Sequence, residues 1–302
     1  MLQRVHPIRR FRLAKSISYE LTGDVAPENP FGALETNGAQ ACKSQIHERT
    51  VNKALSNEIV IVAGLGEVGN PLLEILSRSY ECAGVDIAPV QIARPCSVLH
   101  VCYPFQLPDF VGTTASYIEK YKPALTVINS TVAVGTTRKV QERVSTPVVY
   151  SPVRGKHAKM VQDMLHYQKF VGGFDEQSAQ RAAEHFAGAG FAVAKFRTPE
   201  VGELSKLIET TWLGVLIGWA QDVERMAVGC GASYEEVNAF IKEISFLPSH
   251  VFPGRIGGHC VMSNIAILRS KTSSKLLDAI VESNEVKEKE LQPLAKQKQD
   301  SK

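Results

Sequence analysis

Glu58-Ile59-Val60-Ile61-Val62-Ala63 runs straight into Gly64-Leu65-Gly66-Glu67-Val68-Gly69, and twenty-two residues after Gly64 the chain reaches Asp86. The first six residues are a β-branched run of strand length. Asn70 to Leu76 has helical spacing, and Glu81 to Asp86 reads as a second strand, so the stretch predicts a β-α-β unit. GxGxxG alone is a weak pattern, but between a strand and a helix it describes a dinucleotide-binding turn. Gly64 permits the tight turn, Gly66 lets backbone N–H groups approach a pyrophosphate, and Gly69 lets the helix pack closely. Leu65, Glu67 and Val68 complete the loop, and the helix N-terminus offers partial positive charge to phosphates. Asp86 is placed for a ribose 2′-hydroxyl. Its charge repels a 2′-phosphate, which favours NAD over NADP as cofactor.

Outward from this unit, strand candidates at Val98–Val101, Ala124–Asn129, Pro147–Tyr150 and Phe170–Gly172 alternate with helical segments such as Phe110–Tyr121 and Thr137–Arg143. Alternation of this kind predicts an α/β fold with a Rossmann-type, doubly wound parallel sheet. From Pro199 the character changes: Val201, Leu204, Ile208, Trp212, Val215, Trp219, Val223 and Met226 recur at mostly helical intervals, predicting one long helix. Shorter helices follow at Tyr234–Ile244 and around Met262–Lys271. The expected organisation is an irregular extension (1–55), a dinucleotide-binding domain (56–198), a helical domain (199–283) and a polar tail (284–302).

With 302 residues, 44% apolar and 22% charged, the chain has the composition of a globular protein of about two domains of ~100–200 residues. A formal charge of +3 gives no electrostatic footprint for nucleic acid, and no run reaches the ~18–20 apolar residues of a membrane span. The six cysteines, Cys42, Cys82, Cys96, Cys102, Cys230 and Cys260, include no CxxC pair, so reduced thiols in a cytoplasmic setting are expected. Arg4, Arg9, Arg10, Arg12 and Lys15 precede any acid and leave an organelle presequence as the alternative to a solvated tail. No second ligand pair accompanies Cys260, so no metal is expected.

Five features occur in order: the Gly64–Gly69 loop, Asn129-Ser130-Thr131-Val132-Ala133-Val134-Gly135-Thr136, Ser151-Pro152, Gly202-Glu203-Leu204-Ser205-Lys206, and Pro253-Gly254-Arg255-Ile256-Gly257-Gly258-His259-Cys260. Together they resemble the UDP-glucose/GDP-mannose dehydrogenase family of NAD-dependent nucleotide-sugar dehydrogenases. The resemblance implies a dehydrogenase of a sugar-derived CH–OH group, with a helical, 6-phosphogluconate-dehydrogenase-like domain that makes a homodimer through the 199–230 helix. It also implies that Cys260 is a nucleophile holding the aldehyde, that Lys206 is the catalytic lysine, and that Thr131 serves the nicotinamide side or a water. A thiolate is a strong protein nucleophile and its glycine flanks expose it, which fits Cys260 independently of the family. Glu203, Lys206 and Thr210 are spaced to share a helix face, and a salt bridge from Lys206 to Glu203 or Glu209 is the alternative reading of that lysine.

Departures from the family pattern are specific. Val153 stands where the family has Glu, Thr210 where it has Asn, and Asn264 where it has Asp; an amide cannot act as a base. With 302 residues, the family's third, nucleotide-binding domain is expected to be missing. Two other readings follow from these changes: an NAD-binding sensor or scaffold with reduced turnover, and a β-hydroxyacid or 6-phosphogluconate-type dehydrogenase. Arg154, Lys156, His157 and Lys159 form a basic cluster after Ser151-Pro152, expected to bind an anionic substrate group together with Gly257 and Gly258 of the cysteine loop.

Overall fold

Val60 and Val62 face one layer of core while Ile59, Ile61 and Ala63 face another, so the opening strand is buried on both sides, as a central parallel strand requires. In the computed structural model, which describes residues 57–86, 90–244, 251–257 and 260–299, this strand is β1 (Ile59–Ala63). It is followed by β2 (Cys82–Val85), β3 (Cys96–Val101), β4 (Leu125–Ile128), β5 (Val148–Tyr150), β6 (Lys169–Gly172) and β7 (Val193–Phe196). The seven strands form one sheet in the order β2-β1-β3-β4-β5-β6-β7. β1 pairs in parallel with β2 through Val60–Cys82 and with β3 through Val60–Val98. The chain therefore leaves β1 in one direction and returns on its other side, which opens a crevice at the carboxyl ends of β1 and β3.

Helices α1 (Gly69–Ser77), α4 (Met160–His166) and α5 (Glu176–Gly188) cover one face with Leu72, Ile75, Met160, Met164 and Phe186. Helices α2 (Phe110–Tyr121) and α3 (Thr136–Gln141) cover the other with Phe110, Ile118 and Val140. Asp109 caps α2 by accepting from the Gly112 N–H at 2.8 Å, and Asp175 caps α5 by accepting from the Ser178 N–H at 2.7 Å.

The sheet corrects the sequence expectation in three places. β6 runs antiparallel to β5, so the sheet is mostly rather than wholly parallel. β6 begins at Lys169, one residue earlier than the apolar run suggested. α5 and β7 add to the elements expected from the sequence: β7 is an edge strand, mostly half-buried, and Lys195 interrupts it.

Thr198 precedes Pro199 at the start of α6 (Pro199–Gly229), which is followed by α7 (Tyr234–Lys242), α8 (Val261–Arg269) and α9 (Lys275–Gln299). Sheet and helices lie within one unit of the chain, His47–Lys302. One stripe of large apolar residues of α6 does not face this unit: Trp212 is 59% and Trp219 60% exposed, and Val201, Leu204, Ile208 and Met226 are exposed beside them. The buried face is made by Leu207 and Val223 together with small residues, Gly202, Gly214, Gly218, Ala220 and Ala227. A Cβ on Gly214 would stand 2.9 Å from Val261 and 3.2 Å from Ile265, so α8 packs where only glycine leaves room.

The polar stretch from Asn284, expected as a helix end that frays into a polar tail, stays within α9 as far as Gln299. Asn284 and Lys287 are buried. Asn284 Oδ1 accepts from the Ile256 N–H at 2.7 Å, and Lys287 is ion-paired to Glu224 of α6. These polar groups are satisfied by packing partners rather than by water, which a composition-based reading does not reveal. The extension 1–55 lies outside the described residues.

Candidate active site

The carboxyl ends of β1 to β5 open into a cleft of about 400 Å³. Gly64, Leu65, Gly66, Glu67 and Val68 line it from the turn after β1, and Asp86 from the end of β2. Gly64 sits at φ +91°, and a Cβ there would lie 2.5 Å from the Tyr103 nitrogen. A Cβ on Gly69 would overlap the Gly64 carbonyl oxygen at 1.7 Å. Gly66 is different: nothing lies within 4 Å of its Cβ position. The space is open on the cleft side, as a group approaching the backbone needs.

Val68, which precedes α1, makes no side-chain capping bond to its first turn. Asp86 Oδ2 accepts from the Leu65 N–H at 3.3 Å, which brings the carboxylate across to the glycine turn. An open glycine, backbone amides and a carboxylate beside them fit the diphosphate and ribose of NAD. Gly66→Val is therefore expected to weaken NADH binding on the order of 100-fold with little change in unfolding midpoint. Gly69→Ala is expected instead to destabilise the fold by about 3 kcal/mol through backbone overlap. NADH fluorescence titration and urea unfolding of both variants separate the two effects.

The opposite wall comes from the helices. Lys206 and Thr210 of α6, Cys260 and Asn264 all line the same cleft, as does Thr131 after β4. Cys260 is the exposed residue that starts α8. Asn264 is buried, and its Nδ2 donates to Thr210 Oγ1 at 2.7 Å, while the Thr210 hydroxyl is within reach of the Lys206 and Leu207 carbonyls at 3.3 and 3.2 Å. Lys206 pairs with Glu209 at 3.0 Å, and its side chain is 14% exposed.

Glu203 is not the partner of Lys206. It is fully buried and accepts from the Gly135 N–H at 2.6 Å, the Thr137 N–H at 2.8 Å and the Thr137 hydroxyl at 2.6 Å. Burial raises its carboxyl above the usual glutamate range, and these hydrogen bonds oppose the shift. The carboxylate ties α6 to the loop that carries Thr131.

The basic cluster is dispersed. The Arg154 guanidinium lies 5.3 Å from the Tyr167 ring centroid and 5.4 Å from that of Phe170, and donates to the Gln168 carbonyl at 2.6 Å. It borders a second hollow of about 260 Å³ beside Lys206, walled by Phe170 and Phe196. Lys156 and Lys159 are exposed. Val153 and Gly155 line the main cleft in their place. His157 belongs to a short turn, His157–Lys159, and its side chain is outside the description. Gly257 is exposed, and Gly258 lies outside the described residues. Among the described residues no three His, Cys, Asp or Glu side chains gather as a metal site would require, and no helix is long and apolar enough to cross a membrane.

Over 179 residues, 56% of its length, the chain is 26% identical to a UDP-N-acetyl-D-mannosamine dehydrogenase of Methanocaldococcus jannaschii. Among solved structures, a UDP-D-ManNAc dehydrogenase from Pyrococcus horikoshii matches with a TM-score of 0.67 at 19% identity, covering 75% of this chain and 68% of that one. The chain is a relative of nucleotide-sugar dehydrogenases. No protein-family model matches it. The match spans 42% of the Methanocaldococcus protein, so this relative of nucleotide-sugar dehydrogenases aligns with less than half of that curated one. A 3-hydroxyisobutyrate dehydrogenase from Mycobacterium tuberculosis shares the fold with a TM-score of 0.59 at 16% identity, covering 77% of this chain and 93% of that one.

The site of this nucleotide-sugar dehydrogenase relative also contains residues that the motifs do not announce. Cys102, Tyr103, Pro104 and Phe105 after β3 line the cleft, and Lys169 lies buried behind it. Their placement follows from where the strands end rather than from spacing in sequence.

Proposed function

We propose that the protein is an NAD-dependent oxidoreductase acting on a CH–OH group of a sugar-derived substrate. The observation that carries this reading is a single cleft holding the glycine turn and Asp86 on one wall and Lys206, Thr210, Cys260 and Asn264 on the other. NAD, when bound, supplies the hydride acceptor. The Gly64–Val68 backbone and Asp86 hold its diphosphate and ribose, and Thr131 stands on the nicotinamide side.

Lys206 is the lysine that lines this cleft among the described residues, placed to stabilise the carbinol oxygen as its proton leaves. Thr210 and Asn264, hydrogen-bonded to each other, orient the same oxygen. Cys260 adds its sulfur to the aldehyde carbon, and the thiol proton passes to the carbonyl oxygen, which gives a thiohemiacetal. Loss of a second hydride, to a further NAD, and of the hydroxyl proton would turn the thiohemiacetal into a thioester on Cys260, against which Val153 and Asn264 offer no carboxylate to activate water. Arg154, beside Lys206, is the residue of the basic cluster best placed for an anionic substrate group.

The test is NADH formation, followed by absorbance, with nucleotide sugars (including UDP-N-acetyl-D-mannosamine and UDP-glucose), sugar phosphates and β-hydroxyacids. NADH with a sugar-derived alcohol supports the reading. Turnover confined to hydroxyacids favours the 3-hydroxyisobutyrate-dehydrogenase type, whose fold the chain matches along most of that protein's length. NADH binding without any turnover favours a scaffold, the reading that Val153, Thr210 and Asn264 support.

The exposed stripe on α6 supports a homodimer through the 199–230 helix. Two tryptophans seven residues apart, with Ile208 and Met226 in line, form an apolar face that a second copy would cover. Trp212→Glu combined with Trp219→Glu is expected to turn a dimer into a monomer in light scattering, with the unfolding midpoint of the sheet domain retained. A monomeric wild type would remove this part of the reading.

A further inference from the structure

Behind the inner wall of the cleft lies a charge that the chemistry above does not use. Lys169, the first residue of β6, is 5% exposed. Its Nζ donates to Asn129 Oδ1 at 3.4 Å, to the Ser151 carbonyl at 3.2 Å and to the Pro152 carbonyl at 3.0 Å. It also lies 4.9 Å from the Phe186 ring centroid. An ammonium has three N–H donors, and three acceptors meet them here. Two acceptors belong to the turn after β5, directly before Val153. The third belongs to Asn129, two residues before Thr131. Asn129, Thr131 and Val153 all line the cleft.

Asn129 is fixed from its other end as well. Its Nδ2 donates to the Val127 carbonyl at 3.2 Å and to His100 Nδ1 at 3.1 Å, and His100 Nε2 meets His185 Nε2 at 2.9 Å. With Nδ1 accepting, the His100 proton sits on Nε2 and is donated to His185. The Asn129 amide is therefore oriented with its oxygen toward Lys169.

We propose that Lys169 is a positioning residue of the cleft: its ammonium ties Asn129 to the turn after β5, and the wall keeps its shape while the third N–H is present. This rests on reading the cleft as a dinucleotide site. On losing its proton the amine keeps two N–H groups and turns a lone pair toward the remaining acceptor. The bond to Asn129 is the longest of the three and is the one to be surrendered. The buried amide oxygen then lacks a donor, and the Asn129–Thr131 loop relaxes into the cleft.

The groups facing Lys169 leave it as the one that titrates near neutrality within this cluster. Burial pushes the Cys102 thiol, at the end of β3, up to about 12. Burial also holds His100 of β3 well below the usual histidine range and brings His185 of α5 down to about 4, so both stay neutral. Burial brings Lys169 itself down to about 7, against a pull from Cys102 and helped by repulsion from Lys206 of α6 and Arg154 of the turn after β5.

The experiment is NADH binding by fluorescence between about pH 6 and about pH 9 for wild type, Lys169→Arg and Lys169→Met, with thermal unfolding of each as a check on folding. Wild-type affinity is expected to fall roughly tenfold as pH rises through neutrality, the size of one hydrogen bond to a charged group. Lys169→Arg keeps its charge throughout and is expected to give a flat profile; Lys169→Met has no proton to lose and is expected to be weak and flat. Where the guanidinium does not fit the buried site, the Met variant decides. A flat wild-type profile, or a wild-type profile retained in either folded variant, overturns the inference and leaves the cofactor reading intact. Absence of NADH binding by wild type at every pH overturns the cofactor reading and this inference with it.

Discussion

Cys260→Ala is expected to lower steady-state NADH formation by about 10³-fold or more while leaving NADH affinity within about twofold of wild type. The split follows from where the residue stands. Cys260 starts α8 on the helical wall of the cleft, and the glycine turn and Asp86 that would bind the cofactor lie on the sheet wall. Removing the thiol therefore removes capture of the aldehyde and nothing that holds NAD. Wild type carries a second expected signature. With Val153 and Asn264 at the positions where a carboxylate would activate water, the acyl group on Cys260 should accumulate, giving a burst of NADH followed by a slow phase. Intact-mass measurement on wild type after mixing with substrate should show the adduct, and the Ala variant should lack it. Turnover that survives Cys260→Ala at the wild-type rate would establish plain alcohol oxidation and remove covalent capture from the mechanism.

What the sequence makes legible is what local physics decides. The β-branched run, the glycine turn and Asp86 lie within thirty residues of one another, so their strand, turn and strand-end roles follow from neighbours along the chain. Cys260, Lys206, Thr210 and Asn264 are legible as a set by resemblance, and the structure brings all four to one cleft. The less legible features depend on distant partners. Lys169 looks like a polar residue flanking a short strand, and its reason to be buried lies in distant partners, the carbonyls of Ser151 and Pro152 and the amide oxygen of Asn129. Asn284 and Lys287 read as tail because their partners, Ile256 and Glu224, are about thirty and sixty residues away. The stripe on α6 is visible in the sequence, but periodicity does not say which face meets the core. Gly214 answers that, because close packing of α8 leaves no room for a side chain there and selects the face that carries it.

Glu203 shows the same principle with the largest expected effect on stability. Helical spacing places it near Lys206, and the inviting assignment is a surface ion pair of little energetic value. The structure turns it inward, where one carboxylate receives three donors, two of them backbone N–H groups at the start of α3. Glu203→Ala would leave all three donors buried without an acceptor, and is expected to cost about 3–5 kcal/mol in urea unfolding. Glu203→Gln keeps the shape but offers one acceptor oxygen and turns an N–H₂ toward an N–H, so about half that loss is expected. The consequence for the site is separable from the loss of stability. Because the carboxylate joins α6 to the loop bearing Thr131, a folded Glu203→Gln protein should bind NADH less tightly even at temperatures where it is fully native. A loss below about 1 kcal/mol for the Ala variant would mean that water replaces the carboxylate at Gly135 and Thr137, and that the two walls of the cleft are held together by packing alone.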